Sequence, residues 1–183
     1  MKHIINPALY LFIVAAIATS VLVVVHAITL EPIENQIRAA QERTMIAVLP
    51  EADEFVEIEA ELHGSMVAVF EGTSAGQKVG YVVSLAPMGF SGAIDMMVGI
   101  SITNNNVAGM RVVRHSETPG LGCPIMRTPF YSRFDDRPLN PLSVVRGGAT
   151  GDQIDSLAAA TITTDAVVKG FNDAVEWFRG GAR

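Results

Sequence analysis

The chain has 183 residues, a net charge of −6 and 49% hydrophobic residues. That length carries a membrane segment and one modest globular domain, not two full domains, and the acidic balance argues against a nucleic-acid partner, which would want a basic face. The single cysteine, Cys123, excludes an internal disulfide and cannot by itself hold an iron–sulfur cluster or a cysteine-rich zinc site, so electron transfer here would need an organic cofactor.

From Pro7 to Leu30 the sequence reads PALYLFIVAAIATSVLVVVHAITL, without Asp, Glu, Lys or Arg. A bilayer core needs roughly 20 apolar residues of helix, so this stretch is long enough to span. Val25-His26-Ala27 is a passable cleavage site, but the apolar run exceeds the ~7–15 residues of a signal-peptide core. The expectation is an uncleaved single-pass anchor over residues 1–30. Lys2 precedes the span, while Glu31, Glu34, Arg38 and Arg43 follow it, and Lys and Arg alone do not set the orientation. A short tail followed by a large domain favours a cytoplasmic (inner) membrane protein with its globular domain on the extracytoplasmic, periplasmic side.

Residues 31–50 form a helical connector in this reading. Pro32 suits a first turn, Ile33, Ile37, Ala40 and Met45 fall near one stripe, and Pro50 ends it. Residues 51–183 then change texture. SMVAVFEG and KVGYVVSLAP read as strands, and GFSG (89–92) as a turn. AIDMMVGISITNNNVAGMRVVRHSE predicts a long antiparallel hairpin turning at Asn104-Asn105-Asn106. CPIMRTPFYSRF predicts one or two short helical turns, and PLSVVRGG adds a candidate strand. A closing helix follows over Ile162–Phe178, with Ile162, Ala166, Val167, Phe171, Ala174, Val175 and Phe178 on its buried face. The fold class is therefore α+β: an antiparallel sheet with flanking helices behind one transmembrane helix.

Two segments can carry chemistry. HSETPGLG, His115 to Gly122, leaves a strand into a Pro-Gly turn. It reads either as a polar strand end and tight turn, or as backbone that approaches a flat ligand closely, with Leu121 covering it. The second is DSLAAATITT, Asp155 to Thr164. Its hydroxyls either satisfy the orphan N–H groups of a helix start or help those groups hold a phosphate. In the second case Thr161 sits at the anion position, Thr163 and Thr164 add donors, and the alanines before Thr161 leave room. No histidine–carboxylate spacing implies a metal, and no general acid–base pair implies independent turnover.

Together these segments resemble the FMN-binding domain of the RnfG family, from the Rnf electron-transport complex, and of its relative NqrC, from the sodium-translocating NADH:quinone reductase. Glu117-Thr118-Pro119-Gly120-Leu121-Gly122 reproduces the family string ETPGLG. Asp155, Ala160 and Thr161 match its flavinylation motif Asp-x-x-[Ser/Thr]-Gly-Ala-Thr. The resemblance implies covalent FMN on Thr161 through a phosphoester, installed from FAD by an exported, magnesium-dependent flavin transferase. It places the isoalloxazine near Glu117, Thr118, Leu121 and Gly122, and gives Asp155 a part in motif recognition. The texture of GFSG adds that turn to the ring's surroundings. The implied role is an electron relay among the other membrane and redox subunits of an Rnf-type ferredoxin:NAD oxidoreductase coupled to ion transport. The alternatives are the NqrC component of the quinone reductase and an extracytoplasmic assembly protein without flavin. Ala158 and Ala159 stand where the motif has Ser/Thr and Gly. The missing hydroxyl removes a bond worth about 1 kcal/mol where it forms, and the missing glycine matters only if the backbone there has positive φ.

Overall fold

The computed structural model of the chain describes residues 2–118 and 122–181. Helix α1 runs Lys2–Val48 without a break at Leu30. Within it, Leu9–Thr29 has 21 residues at a mean hydropathy of 2.6, long and apolar enough to cross a membrane by length and composition. The chain divides into two compact units, the first ending at Ala40 and the second starting at Gln41.

In the second unit, six strands form one antiparallel meander: β1 (Glu54–Ile58), β2 (Met66–Ser74), β3 (Gln77–Leu85), β4 (Ile94–Ser101), β5 (Asn106–His115) and β6 (Arg137–Pro138). The β2–β3 turn places Ala75 and Gly76 at φ 51° and 77°, the pair of left-handed residues that a tight hairpin needs. The expected β4–β5 hairpin is present. Asn105 takes φ 52° in its turn, and the Asn104 N–H donates to Ser101 Oγ at 3.0 Å. Strand β1, which sequence reasoning missed, is an edge strand carrying Glu54 and Glu57, and charge there opposes edge-to-edge pairing. Pro138 ends the opposite edge, where a missing N–H costs little. PLSVVRGG supplies β7 (Ser143–Val145), which pairs in parallel with β8 (Gln153–Asp155), a strand the sequence did not announce. CPIMRTPFYSRF folds as short turns around α2 (Thr128–Tyr131).

The closing helix, α3, runs Thr161–Gly181. Ala166, Val167, Phe171, Ala174 and Val175 are buried as expected, in the core that also holds Val83, Leu85, Met96, Val98 and Met110 of the sheet. Two stripe assignments need correction. Ile162 is 56% exposed, and Phe178 is only partly buried, whereas Trp177 is buried with its ring edge-on to Tyr81 at 5.5 Å. The first turn faces inward through Thr163 and Thr164 instead. Two polar latches hold α3 lengthwise. Asn172 accepts from the Leu142 N–H at 2.7 Å and donates to the Leu142 carbonyl at 2.9 Å. Asp173 accepts from the N–H and hydroxyl of Ser65 at 2.8 and 2.6 Å. With its middle fixed, the start of α3 has one available place. On the other sheet face, Met45, Val48, Leu49 and Ala52 pack with Val82 and Met97 as a second core.

Candidate functional site

Three segments meet at the start of α3. The first is the Gly89–Gly92 turn, closed by the Gly89 N–H donating to the Gly92 carbonyl at 2.8 Å and by the Met88–Ala93 bridge. It lifts Phe90 into solvent at 70% exposure. The second leaves β5 at His115, whose Nδ1 accepts from the Glu117 N–H at 3.1 Å. The third descends from β8 through Leu157 into α3. There the Ala160 N–H donates to the Leu157 carbonyl at 3.0 Å, and the Leu157 N–H to Thr164 Oγ1 at 3.1 Å.

Between them lies a cavity of about 320 Å³. Its walls come from Phe90 of the turn, from Glu117, Thr118 and Gly122 of the ETPGLG loop, and from Ala159 through Thr163. Sequence reasoning named six of these as site residues: Glu117, Thr118, Gly122, Ala160, Thr161 and Thr163. Leu121 lies outside the described residues. Asp155 is not on the cavity wall. Its Oδ1 accepts from the Ala149 N–H at 3.0 Å and its carbonyl from Arg133 Nη1 at 2.9 Å, so it braces the loop between β7 and β8. Phe90 and Ile162 line the cavity while remaining exposed. Their sequence signal was a large apolar residue between two glycines and one in a helix's first turn.

The three threonines are not equivalent. Thr164 is fully buried and donates to the Ala160 carbonyl at 3.0 Å. Thr163, 2% exposed, donates to Glu117 Oε2 at 2.7 Å. The expectation that both add donors to a phosphate therefore meets two hydroxyls already engaged with protein acceptors. Thr161 is half-buried on the cavity wall at the helix start, with no hydrogen-bond partner for its hydroxyl among the described residues. The N–H groups of the first turn have no acceptor inside the helix, and their partial positive charge favours an anion. A phosphate fits that corner, and a flat apolar ring fits walls made of Phe90, Ile162 and bare alanine.

Gly122, on the cavity wall, also has a steric role inside the protein. Its φ is −83°, which any residue adopts, and a Cβ there would come within 2.6 Å of the Glu117 Cβ. A Cβ on Gly89 would strike Glu117 Oε1. Both glycines make room for the glutamate.

Ala159 adopts φ 61°, whereas Ala158 is not among the positive-φ residues. The glycine of the family motif thus stands where the backbone is left-handed, and alanine there costs about 1–2 kcal/mol in strain. Ala159→Gly recovers that and gives back ~0.4–1 kcal/mol through the freer unfolded chain. The expected net gain is about 0.5–1 kcal/mol, read as a higher denaturation midpoint at unchanged m-value. Ala158→Gly has no such strain to relieve and is expected to lower the midpoint.

The chain is similar to known proteins along most of its length. The FMN-binding domain family matches residues 89–176, and the RnfG N-terminal region matches residues 1–48. The G subunit of the ion-translocating oxidoreductase complex of Methanosarcina acetivorans is 32% identical over 96% of this chain and 95% of its own length. The G subunit of the proton-translocating ferredoxin:NAD(+) oxidoreductase complex of Clostridium ljungdahlii is 31% identical over 77% of this chain and 75% of its own. In fold, the chain is similar to the C subunit of the Na(+)-translocating NADH-quinone reductase of Parabacteroides distasonis, with a TM-score of 0.61 and 19% identity over 82% of this chain and 96% of that one. By these matches, the chain belongs to the RnfG family, the redox subunits with an FMN-binding domain in ion-translocating oxidoreductase complexes.

Proposed function

We propose that this chain is the membrane-anchored electron relay of an Rnf-type ferredoxin:NAD oxidoreductase, carrying FMN as a phosphoester on Thr161. The observation that carries the reading is the uncommitted Thr161 hydroxyl at the start of α3, on the cavity wall, beside two threonines whose hydroxyls are engaged. FMN supplies the redox chemistry when bound; the protein supplies position and electrostatics. Thr161 and the first-turn N–H groups hold the phosphate end, while Phe90, Thr118, Ala159 and Ile162 bound the space for the ring. A covalent tether removes the binding equilibrium, which suits a domain on the extracytoplasmic side, where no FMN pool exists. The apolar Leu9–Thr29 stretch keeps the relay beside its membrane and redox partner proteins, and an exported flavin transferase installs the cofactor.

Relatives named as G subunits that match this chain over nearly their full length support the Rnf reading over the quinone-reductase one. The left-handed Ala159 favours the second reading, an assembly protein without flavin. Mass spectrometry of the peptide containing Thr161, from mature protein made in a host with an active transferase, decides between them. The relay reading expects the FMN phosphoester on that peptide, and a bare threonine sinks it.

A further inference from the structure

We propose that Glu117 is a fixed buried charge that holds down the reduction potential of the flavin in the cavity it lines. The proposal rests on the reading that FMN occupies that cavity.

Glu117 is 6% exposed, and both carboxylate oxygens accept hydrogen bonds: Oε1 from the Ser91 N–H at 3.0 Å and Oε2 from the Thr163 hydroxyl at 2.7 Å. An ionised carboxylate is an acceptor-only group, and this donor set matches it. The ion pairs among the described residues join Lys78 to Glu71, Arg111 to Asp135 and Arg114 to Asp95, and none includes Glu117. Its negative charge is eased by two neutral donors and the nearby helix start, and among the described residues no cation pairs with it. Such a group is costly to bury, yet the fold clears space for it with glycines at 89 and 122. A structural tie between the turn and α3 needs no charge; a neutral amide of the same shape would serve.

Glu117 lines the cavity, and its carboxylate is bonded to Thr163, another residue of the cavity wall. An electron added to an occupant there meets an anion in a site partly shielded from solvent, where Coulomb interactions are stronger than in water. Reduction is disfavoured and the potential falls. Ser91 and Thr163 fix the carboxylate, so the same field meets every electron that arrives.

The test uses the full chain in detergent, loaded by the transferase and verified by the mass of the Thr161 peptide. The midpoint potential of the bound flavin is read by spectroelectrochemical titration. Glu117→Gln keeps the shape and removes the charge. It is expected to favour reduction at least tenfold, a rise of about 59 mV for one electron. Thr163→Val keeps the charge and removes a donor that eases it, and is expected to move the potential down. Unchanged potentials, or shifts of both variants in one direction as a packing role would give, overturn the proposal. If Glu117→Gln fails to fold or load, Thr163→Val decides: a downward shift supports the charge, and a null or upward shift overturns it. A wild-type chain without flavin sinks the FMN reading itself, and the proposal with it.

Discussion

A Thr161→Ala chain made beside an active flavin transferase is expected to carry no covalent FMN, and the flavin is not expected to move to a neighbouring threonine. Thr163 and Thr164 lie two and three residues away, and sequence spacing alone would let either substitute. Their surroundings do not. Thr164 is fully buried and bonded in both directions, accepting from the Leu157 N–H and donating to the Ala160 carbonyl. Thr163 donates to the Glu117 carboxylate from a buried position. Freeing a hydroxyl from a charged acceptor costs about 1.5–3 kcal/mol, a population penalty of roughly ten- to a hundredfold, before the first turn of α3 is disturbed. Thr161→Ser restores a hydroxyl at the same place and is expected to load. Peptide mass mapping of the variants checks both results, and flavin found on Thr163 or Thr164 of Thr161→Ala would contradict the geometry.

Legibility in the sequence followed how much each signal depended on neighbours close in the chain. The β4–β5 hairpin was readable because its apolar strands and Asn-rich turn are local properties. The two chemical segments were readable as strings, and the fold brings both to one cavity. Strand β1 was not readable, because an edge strand needs a pairing partner more than a pattern, and its glutamates resemble a loop. Strand β8 has three residues and exists through its pairing with β7. Ile162 fitted the helical stripe by periodicity yet is exposed on the cavity wall, while Thr163 and Thr164 are buried; position along the helix outweighed its face. Gly89 of the turn and Gly122 of the ETPGLG loop looked like ligand approach in one dimension. Only the third dimension shows that these two also make room for Glu117.

The same three-dimensional logic sets the largest expected stability effect, at Gly99. Four glycines bear on the second core: Gly72 on β2, Gly80 on β3, Gly99 on β4 and Gly109 on β5, with Gly72 paired to Gly80 and Gly99 to Gly109. A Cβ on Gly99 would strike the carbonyl of Val48, where α1 ends, and would lie 3.1 Å from the Val48 Cβ. The obstacle is main chain, which no rotamer change can move. Overpacking of a filled core costs typically 1–3 kcal/mol, and a backbone obstacle puts Gly99→Ala at the top, about 3 kcal/mol. That corresponds to a fall in Tm of roughly 6–12 °C for a domain of this size. Gly72→Ala is the internal control. Its Cβ would meet Leu49 Cδ2 at 2.7 Å and Ala52 Cβ at 2.9 Å; the leucine can turn aside while the Ala52 methyl yields only by a small main-chain shift, so about 2 kcal/mol is expected, still below Gly99→Ala. Leu49→Ala should rescue part of Gly72→Ala and none of Gly99→Ala. Thermal unfolding followed through the single tryptophan, Trp177, which is buried against the sheet's other face, reads the whole series. Equal losses at the two glycines would mean that α1 does not end on a backbone contact at Gly99.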